Sequence, residues 1–245
     1  MKQNKIGVFD SGTGGLYVLN ELIKKYPDNK YYYYGDTLNM PYGNKKKEDL
    51  FKCVSDIISY FTELEVDMIV CACGTVSTTI LNELQKNTDK PIISVVDSTI
   101  NYVNSKKFKN ILVIATMNTI NSMYFQERIN SNATYIGLEN LAYYIENDIS
   151  FKEYLDKELD DNDYDAVILG CTHYVKVKSY LKKRYHARII DMGKCLSSSI
   201  NLDNGSNMEL NIYFSKYLDN TLVNIEKILG SEVYGNARIT RSRDC

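Results

Sequence analysis

The stretch DAVILGCTHY, residues 165–174, is an apolar, β-branched run that stops at a glycine, a cysteine, a threonine and one of only two histidines in the chain. An earlier stretch, DMIVCACGT at 67–75, has the same layout when Asp67 is laid on Asp165. Cys73 then falls on Cys171, and Thr75 on His173. A strand that delivers a thiol at its carboxyl end, and does so twice, indicates two related halves. A second pair supports the repeat: IGVFDSGT from Ile6 against ILVIATMN from Ile111, each a strand followed by a small polar turn.

Working outward, short β-branched runs alternate with stretches of helical period. Strands are expected at 6–10, 30–36, 67–73, 91–97, 111–116, 133–138, 166–171 and 187–191, with helices at 14–26, 46–65 and 76–87. That alternation builds βαβ units and parallel sheets covered on both faces. The expected fold is therefore α/β, with two similar parallel-sheet domains and the active site in the cleft between them. The first domain is expected to take residues 1–97 plus 208–245 and the second 98–207. In this reading SSSINLDNGSN (197–207) is the return crossing, and 208–229 is a helical tail on the first half. Four consecutive tyrosines, Tyr31 to Tyr34, point alternately to both faces of a strand, which makes them core.

Composition excludes several partners. Lys+Arg number 29 against Asp+Glu 31 with no basic stripe, so nucleic acid and anionic membranes are poor candidates. The N-terminus MKQNKIGVFDSG lacks the apolar stretch of a signal peptide, and no run reaches transmembrane length. A cytoplasmic protein is expected. Its six cysteines (53, 71, 73, 171, 195, 245) are too irregular for a disulfide framework.

In open α/β sheets a ligand sits beyond the carboxyl ends of the strands, where Cys73 and Cys171 both lie, one per half. Two thiols facing across a small ligand suit inversion of a stereocentre that bears an acidic C–H: one face needs a base, the other an acid. A free thiol with pKa near ~8.5 needs a neighbour to share its proton. His173 can serve Cys171, and Asp10, at the end of the first strand, can serve Cys73. The DSGTGG turn lacks the spacing of nucleotide loops, yet its N–H groups are a good seat for a substrate carboxylate.

The segments IGVFDSGTGGL (6–16), GDTLNMPYGNK (35–45), CACGT (71–75), ILVIATMNTI (111–120) and GCTHY (170–174), in that order, resemble the cofactor-independent aspartate/glutamate racemase superfamily, and in particular its glutamate racemases. The resemblance runs over nearly the whole chain. It implies that Cys73 and Cys171 are the catalytic acid/bases, tuned by Asp10 and His173, with Glu146 in YYIEND near the second thiol. It further implies substrate contacts from Asp10, Ser11, Pro41, Tyr42, Gly43, Gly74, Thr75, Thr116 or Thr119, and Thr172. The implied activity is interconversion of L- and D-glutamate without pyridoxal phosphate, metal or other cofactor, for peptidoglycan synthesis and cell-wall shape. The partner is a small acidic amino acid, and a homodimer is left open.

Two departures stand out. Where the family places an asparagine after the first cysteine, this chain has Gly74, and where a proline follows GCTHY it has Val175. Gly74 removes an amide that would touch the amino acid, so aspartate or another acidic amino acid is the alternative substrate, and an asparagine restored at 74 is expected to tighten glutamate binding. Two other classes compete with the racemase. Cys71, Cys73, Cys171 and His173 are of the Cys₃His type and suggest zinc, although C-x-C within an apolar strand is unusual for such a site. A non-catalytic amino-acid-binding protein of the same fold is the third class. Cys53, Cys71 and Cys195 read as small buried hydrophobes, His186 as a surface residue, Lys45 to Lys47 as a solvated helix start and Cys245 as a free tail thiol.

Overall fold

The computed structural model describes residues 3–203 and 205–241, and within them the chain forms two all-parallel sheets. The strands are β1 (Lys5–Asp10), β2 (Lys30–Gly35), β3 (Met68–Cys71), β4 (Ile92–Ser94), β5 (Asn110–Ala115), β6 (Asn132–Gly137), β7 (Ala166–Leu169), β8 (Arg188–Asp191), β9 (Glu209–Phe214) and β10 (Ala237–Arg241). The first sheet runs β10-β9-β2-β1-β3-β4 and the second β6-β5-β7-β8. The second order repeats β2-β1-β3-β4 of the first. Moreover, β3 and β7 coincide residue for residue under the offset that relates Cys73 to Cys171, and β1 and β5 under the offset that relates Ile6 to Ile111.

Parallel strands buried on both faces need apolar side chains on both, and β2 shows how the sequence meets this. Tyr31 and Tyr33 face a core shared with Val8, Val70, Val113 and Ile168, which therefore joins the inner faces of both sheets. Tyr32 and Tyr34 face an outer core with Val54, Ile57 and Phe61 of the helix Lys47–Glu63. The second sheet has its own outer core around Leu112, Leu169, Tyr174 and Leu181. The helices Gly15–Lys25, Val95–Asn104 and Met192–Ser199 pack together between the sheets and bring the carboxyl ends of β1, β3, β5 and β7 to one seam.

Three sequence expectations change. The stretch expected to be a helical tail begins with a strand: ELNIYF buries Leu210, Ile212 and Phe214 alternately and pairs with the otherwise open edge of β2, after which the helix Thr221–Leu229 follows. The strand expected over 91–97 stops at Ser94, whose hydroxyl accepts from the Asp97 amide and caps a helix from Val95. The helix expected over 76–87 is broken at Ile80. The hydroxyls of Thr78 and Thr79 bond back to the carbonyls of Gly74 and Thr75, which weakens the first turns. The return crossing includes Asn204, and the tail thiol is Cys245; both lie outside the described residues. His186 is exposed in a left-handed cap, and Lys46 and Lys47 are exposed at their helix start.

Phe214 is fully buried on β9 against Tyr33, its ring centroid 5.8 Å away, and its ring fills the space beside Gly35. Phe214→Ala should cost about 3–5 kcal/mol, measured by urea unfolding. A loss below about 1 kcal/mol would show that β9 does not hold the sheet edge.

Candidate active site

The sequence places the same kind of residue at the end of each matched strand, and the fold brings these ends around one cavity. Asp10 ends β1 and Ser11 follows it, Cys73 to Thr75 follow β3, Thr116 follows β5, and Cys171 to His173 follow β7. The Pro41–Gly43 loop closes one side, joined by Met40 and Asn44, while Glu139, Ala142 and Tyr143 close another. The cavity measures about 30 Å³, room for roughly two waters. Cys73 and Cys171 both line it and are 5% and 8% exposed.

Each thiol has its own acid–base neighbourhood. Cys171 Sγ lies 3.7 Å from His173 Nδ1, and His173 Nε2 lies 2.7 Å from Glu146 Oε2. Glu146 also accepts from the Thr13 hydroxyl at 2.7 Å and the Thr13 amide at 3.2 Å. Burial by itself would lower the His173 pKa, but the Cys171 and Glu146 contacts outweigh it and hold it well above the usual imidazole value. Burial by itself would raise Glu146, yet His173 and both Thr13 donors hold it below the usual carboxylate value. The result is a buried imidazolium–carboxylate pair behind the Cys171 sulfur.

On the opposite side burial, reinforced by the Asp10 charge, pushes the Cys73 thiol well above its ordinary value. Asp10 is itself raised by burial, against the opposing pull of His173, the Ser11 and Gly15 amides and the Thr172 hydroxyl, which donates at 3.0 Å. A carboxyl raised toward a thiol's range makes a closer proton partner than an ordinary aspartate.

The expected seat for a substrate carboxylate is occupied differently. Of the N–H groups in the DSGTGG turn, those of Ser11 and Gly15 point to Asp10, and that of Thr13 points to Glu146. The turn does bind carboxylates, but they are the protein's own. The hydroxyls of Ser11, Thr75, Thr116 and Thr172 line the cavity; that of Thr172 already donates to Asp10, and those of Thr75 and Thr116 share a bond at 3.0 Å. No lysine or arginine is among the described residues that line the cavity.

Most residues singled out from the sequence meet here: Asp10, Ser11, Pro41, Tyr42, Gly43, Cys73, Gly74, Thr75, Thr116, Cys171, Thr172 and His173 all line the cavity. Thr119 and Glu146 stand one layer behind. The Thr119 hydroxyl is 3.0 Å from that of Thr116, which is 3.0 Å from that of Thr75. Among the described residues no group of three or more His, Cys, Asp or Glu could hold a metal, so the Cys₃His set is not assembled; Cys71 instead takes a hydrogen bond from Ser77. Cys71 and Cys195 are buried and Cys53 half-buried. Gly74 overturns the expectation of a tighter site with asparagine, because a Cβ there would lie 2.4 Å from the Gly170 carbonyl oxygen.

The cavity-lining Met40, Asn44, Glu139, Ala142 and Tyr143 were not singled out from the sequence, and two residues that brace the site, Thr13 and Asp36, escaped it as well. Thr13 lay within the quoted turn, but its role depends on a glutamate from the other half. Asp36 accepts from the Tyr42 hydroxyl at 2.5 Å and donates its amide to the Asp10 carbonyl, tying the Pro41–Gly43 loop to β1. Its position in GDTLNMPYG was the available signal.

With this geometry in place, three comparisons identify the chain's relatives. The family model for Asp/Glu/Hydantoin racemase matches residues 12–143. The glutamate racemase of Hydrogenobaculum sp. is 35% identical, with 93% of this chain and 94% of the relative covered. This chain belongs to the aspartate/glutamate/hydantoin racemase family. Among solved structures, the glutamate racemase of Campylobacter jejuni superposes with a TM-score of 0.82 at 29% identity, covering 93% of this chain and 98% of that one. The glutamate racemase of Francisella tularensis, solved in complex with D-glutamate, gives 0.82 at 25% identity over 100% and 98%. Membership makes this an isomerase, in agreement with the resemblance carried by the five sequence segments. Among the described residues no helix is long and apolar enough to cross a membrane.

The buried pair makes stability depend on pH. His173 is raised in the fold, so its contribution is complete below the ordinary value of 6.5 and is lost as pH rises through the folded value. Glu146 is lowered, so its contribution is complete above the ordinary 4.5 and is lost as pH falls through the folded value. Urea unfolding of the unaltered protein and Glu146→Gln should differ most between 4.5 and 6.5, with the gap narrowing at higher pH. A gap independent of pH would rule out the charged pair.

Proposed function

We propose that this chain interconverts L- and D-glutamate by a two-thiol acid–base reaction without a cofactor, supplying D-glutamate for peptidoglycan in the cytoplasm. The observation that carries this reading is the pair of cysteines at the carboxyl ends of matched strands, in one cavity, with Cys171 in contact with His173 and Cys73 under the charge of Asp10. Family membership and the glutamate named for the relatives support the substrate.

In this mechanism the substrate Cα sits between Cys73 and Cys171. Cys73, buried beside Asp10, holds its proton in the resting site and acts as the first acid. Cys171, as the thiolate opposite the His173 imidazolium, acts as the first base and removes the Cα proton. As that proton leaves, charge moves onto the α-carboxylate, where hydroxyls from the cavity wall stabilise it. Cys73 then delivers a proton to the opposite face. For the opposite enantiomer the roles exchange: Asp10 as carboxylate first takes the Cys73 proton and His173 returns one to Cys171, so the Cys73 thiolate removes the Cα proton and the Cys171 thiol donates to the opposite face.

Aspartate or another acidic amino acid is the competing substrate, because Gly74 carries no side-chain amide to contact the amino acid.

The test is an assay of purified protein against a panel of L-amino acids, read by chiral chromatography, with Cys73→Ala and Cys171→Ala in parallel. Turnover of L-glutamate should exceed that of L-aspartate, and each substitution should lower it by about 10²–10⁴-fold, while Cys71→Ala stays close to the unaltered rate. Near-normal turnover by either of the first two variants would overturn the two-thiol mechanism, and a preference for aspartate would reassign the substrate.

A further inference from the structure

We infer that Gly74 is a positioning residue that lets the two thiol-bearing turns close on each other, an inference that rests on the racemase reading. Gly74 directly follows Cys73, and Gly170 directly precedes Cys171. A Cβ on Gly74 would fall 2.4 Å from the Gly170 carbonyl oxygen, well inside contact distance and against backbone that cannot rotate away.

Neither turn has slack to absorb such a wedge. Behind Gly170 stand the Ala115 side chain and the Ile114 carbonyl, 2.8 and 2.9 Å from where its own Cβ would lie, and its amide is bonded to Ile114 O at 2.7 Å. Opposite, the Cys73 carbonyl accepts from the Ser77 amide at 3.0 Å, and the Gly74 carbonyl accepts from the Thr78 hydroxyl at 3.1 Å. Relief must therefore come from parting the two halves along the seam, and parting the seam moves Cys73 away from Cys171.

The space that a side chain at this position would take is filled by the Gly170 carbonyl. Gly74 thus serves the reaction by what it lacks. A shift on the order of 1 Å between reacting groups lowers turnover by up to about 10²-fold. The effect falls mainly on kcat, because reaction needs both thiols at once, whereas Asp10, Ser11 and Thr75 stay together on one half and continue to hold substrate.

The experiment compares the unaltered protein with Gly74→Ala and Gly74→Asn by steady-state racemisation and by alkylation with iodoacetamide, mapped by mass spectrometry. Both variants should lose about 10–100-fold in kcat with a smaller change in KM. In both, Cys73 and Cys171 should be alkylated several-fold faster, while Cys71 and Cys195 keep their rates. Thermal unfolding should fall modestly, because a parted seam loosens the Thr172–Asp10 and Thr13–Glu146 bonds while the two outer cores stay packed. Unchanged kcat and unchanged alkylation of Cys73 and Cys171 would overturn the inference while leaving the racemase reading intact. A variant that fails to fold would also overturn it, by showing that the contact supports the fold and not the seam alone. An unaltered protein that racemises no amino acid would overturn both readings together.

Discussion

Two carboxylates, Asp10 and Glu146, are each only 1% exposed, and each is satisfied by a donor from the opposite half of the molecule. Thr172, after β7, donates to Asp10 at the end of β1; Thr13, after β1, donates twice to Glu146. Burying an ionised carboxylate without such partners costs several kcal/mol. The halves are therefore held in the one alignment that pairs every donor with its acceptor. The seam inherits further crossings from this alignment, including Thr75 to Thr116 and Asn118 to the Lys45 carbonyl. Asn220, at the start of the last long helix, adds another by donating to the Glu146 carbonyl at 2.7 Å.

The same crossings make the site asymmetric although the scaffold repeats. One thiol faces an imidazolium backed by a carboxylate; the other faces a buried carboxyl. A duplicated strand delivers two equal thiols, and what surrounds them differs: His173, two positions past Cys171, contacts that thiol, whereas Thr75, in the matching place, bonds Thr116 and leaves Cys73 to the influence of Asp10. This lets one thiol begin as acid and the other as base without any difference in the thiols themselves.

How much of this was legible in the sequence depended on whether the signal was local. The matched strands, the alternating tyrosines and the cluster of cavity residues were legible because strand period and turn composition are local, and the five segments carry the resemblance with them. The strand at 209–214 was not, because ELNIYF fits a helix or a strand equally and only the open edge of β2 decides. The occupancy of the DSGTGG amides was not legible either, since the acceptor of Thr13 lies 133 residues away. Nor was the seat of Gly74, which depends on a carbonyl from the other half. What escaped the sequence in each case is a contact across a seam or at a sheet edge, made by groups whose partners no local pattern announces.

The central claim is that one acid and one base stand on opposite faces of the substrate Cα, and the most direct measurement is early isotope incorporation in deuterated water. Product formed from L-glutamate should carry deuterium at Cα from the first turnovers, delivered by the solvent-equilibrated thiol, while unreacted L-glutamate stays largely protiated. Equal early labelling of substrate and product would place a single shuttling base in the site and contradict the facing thiols.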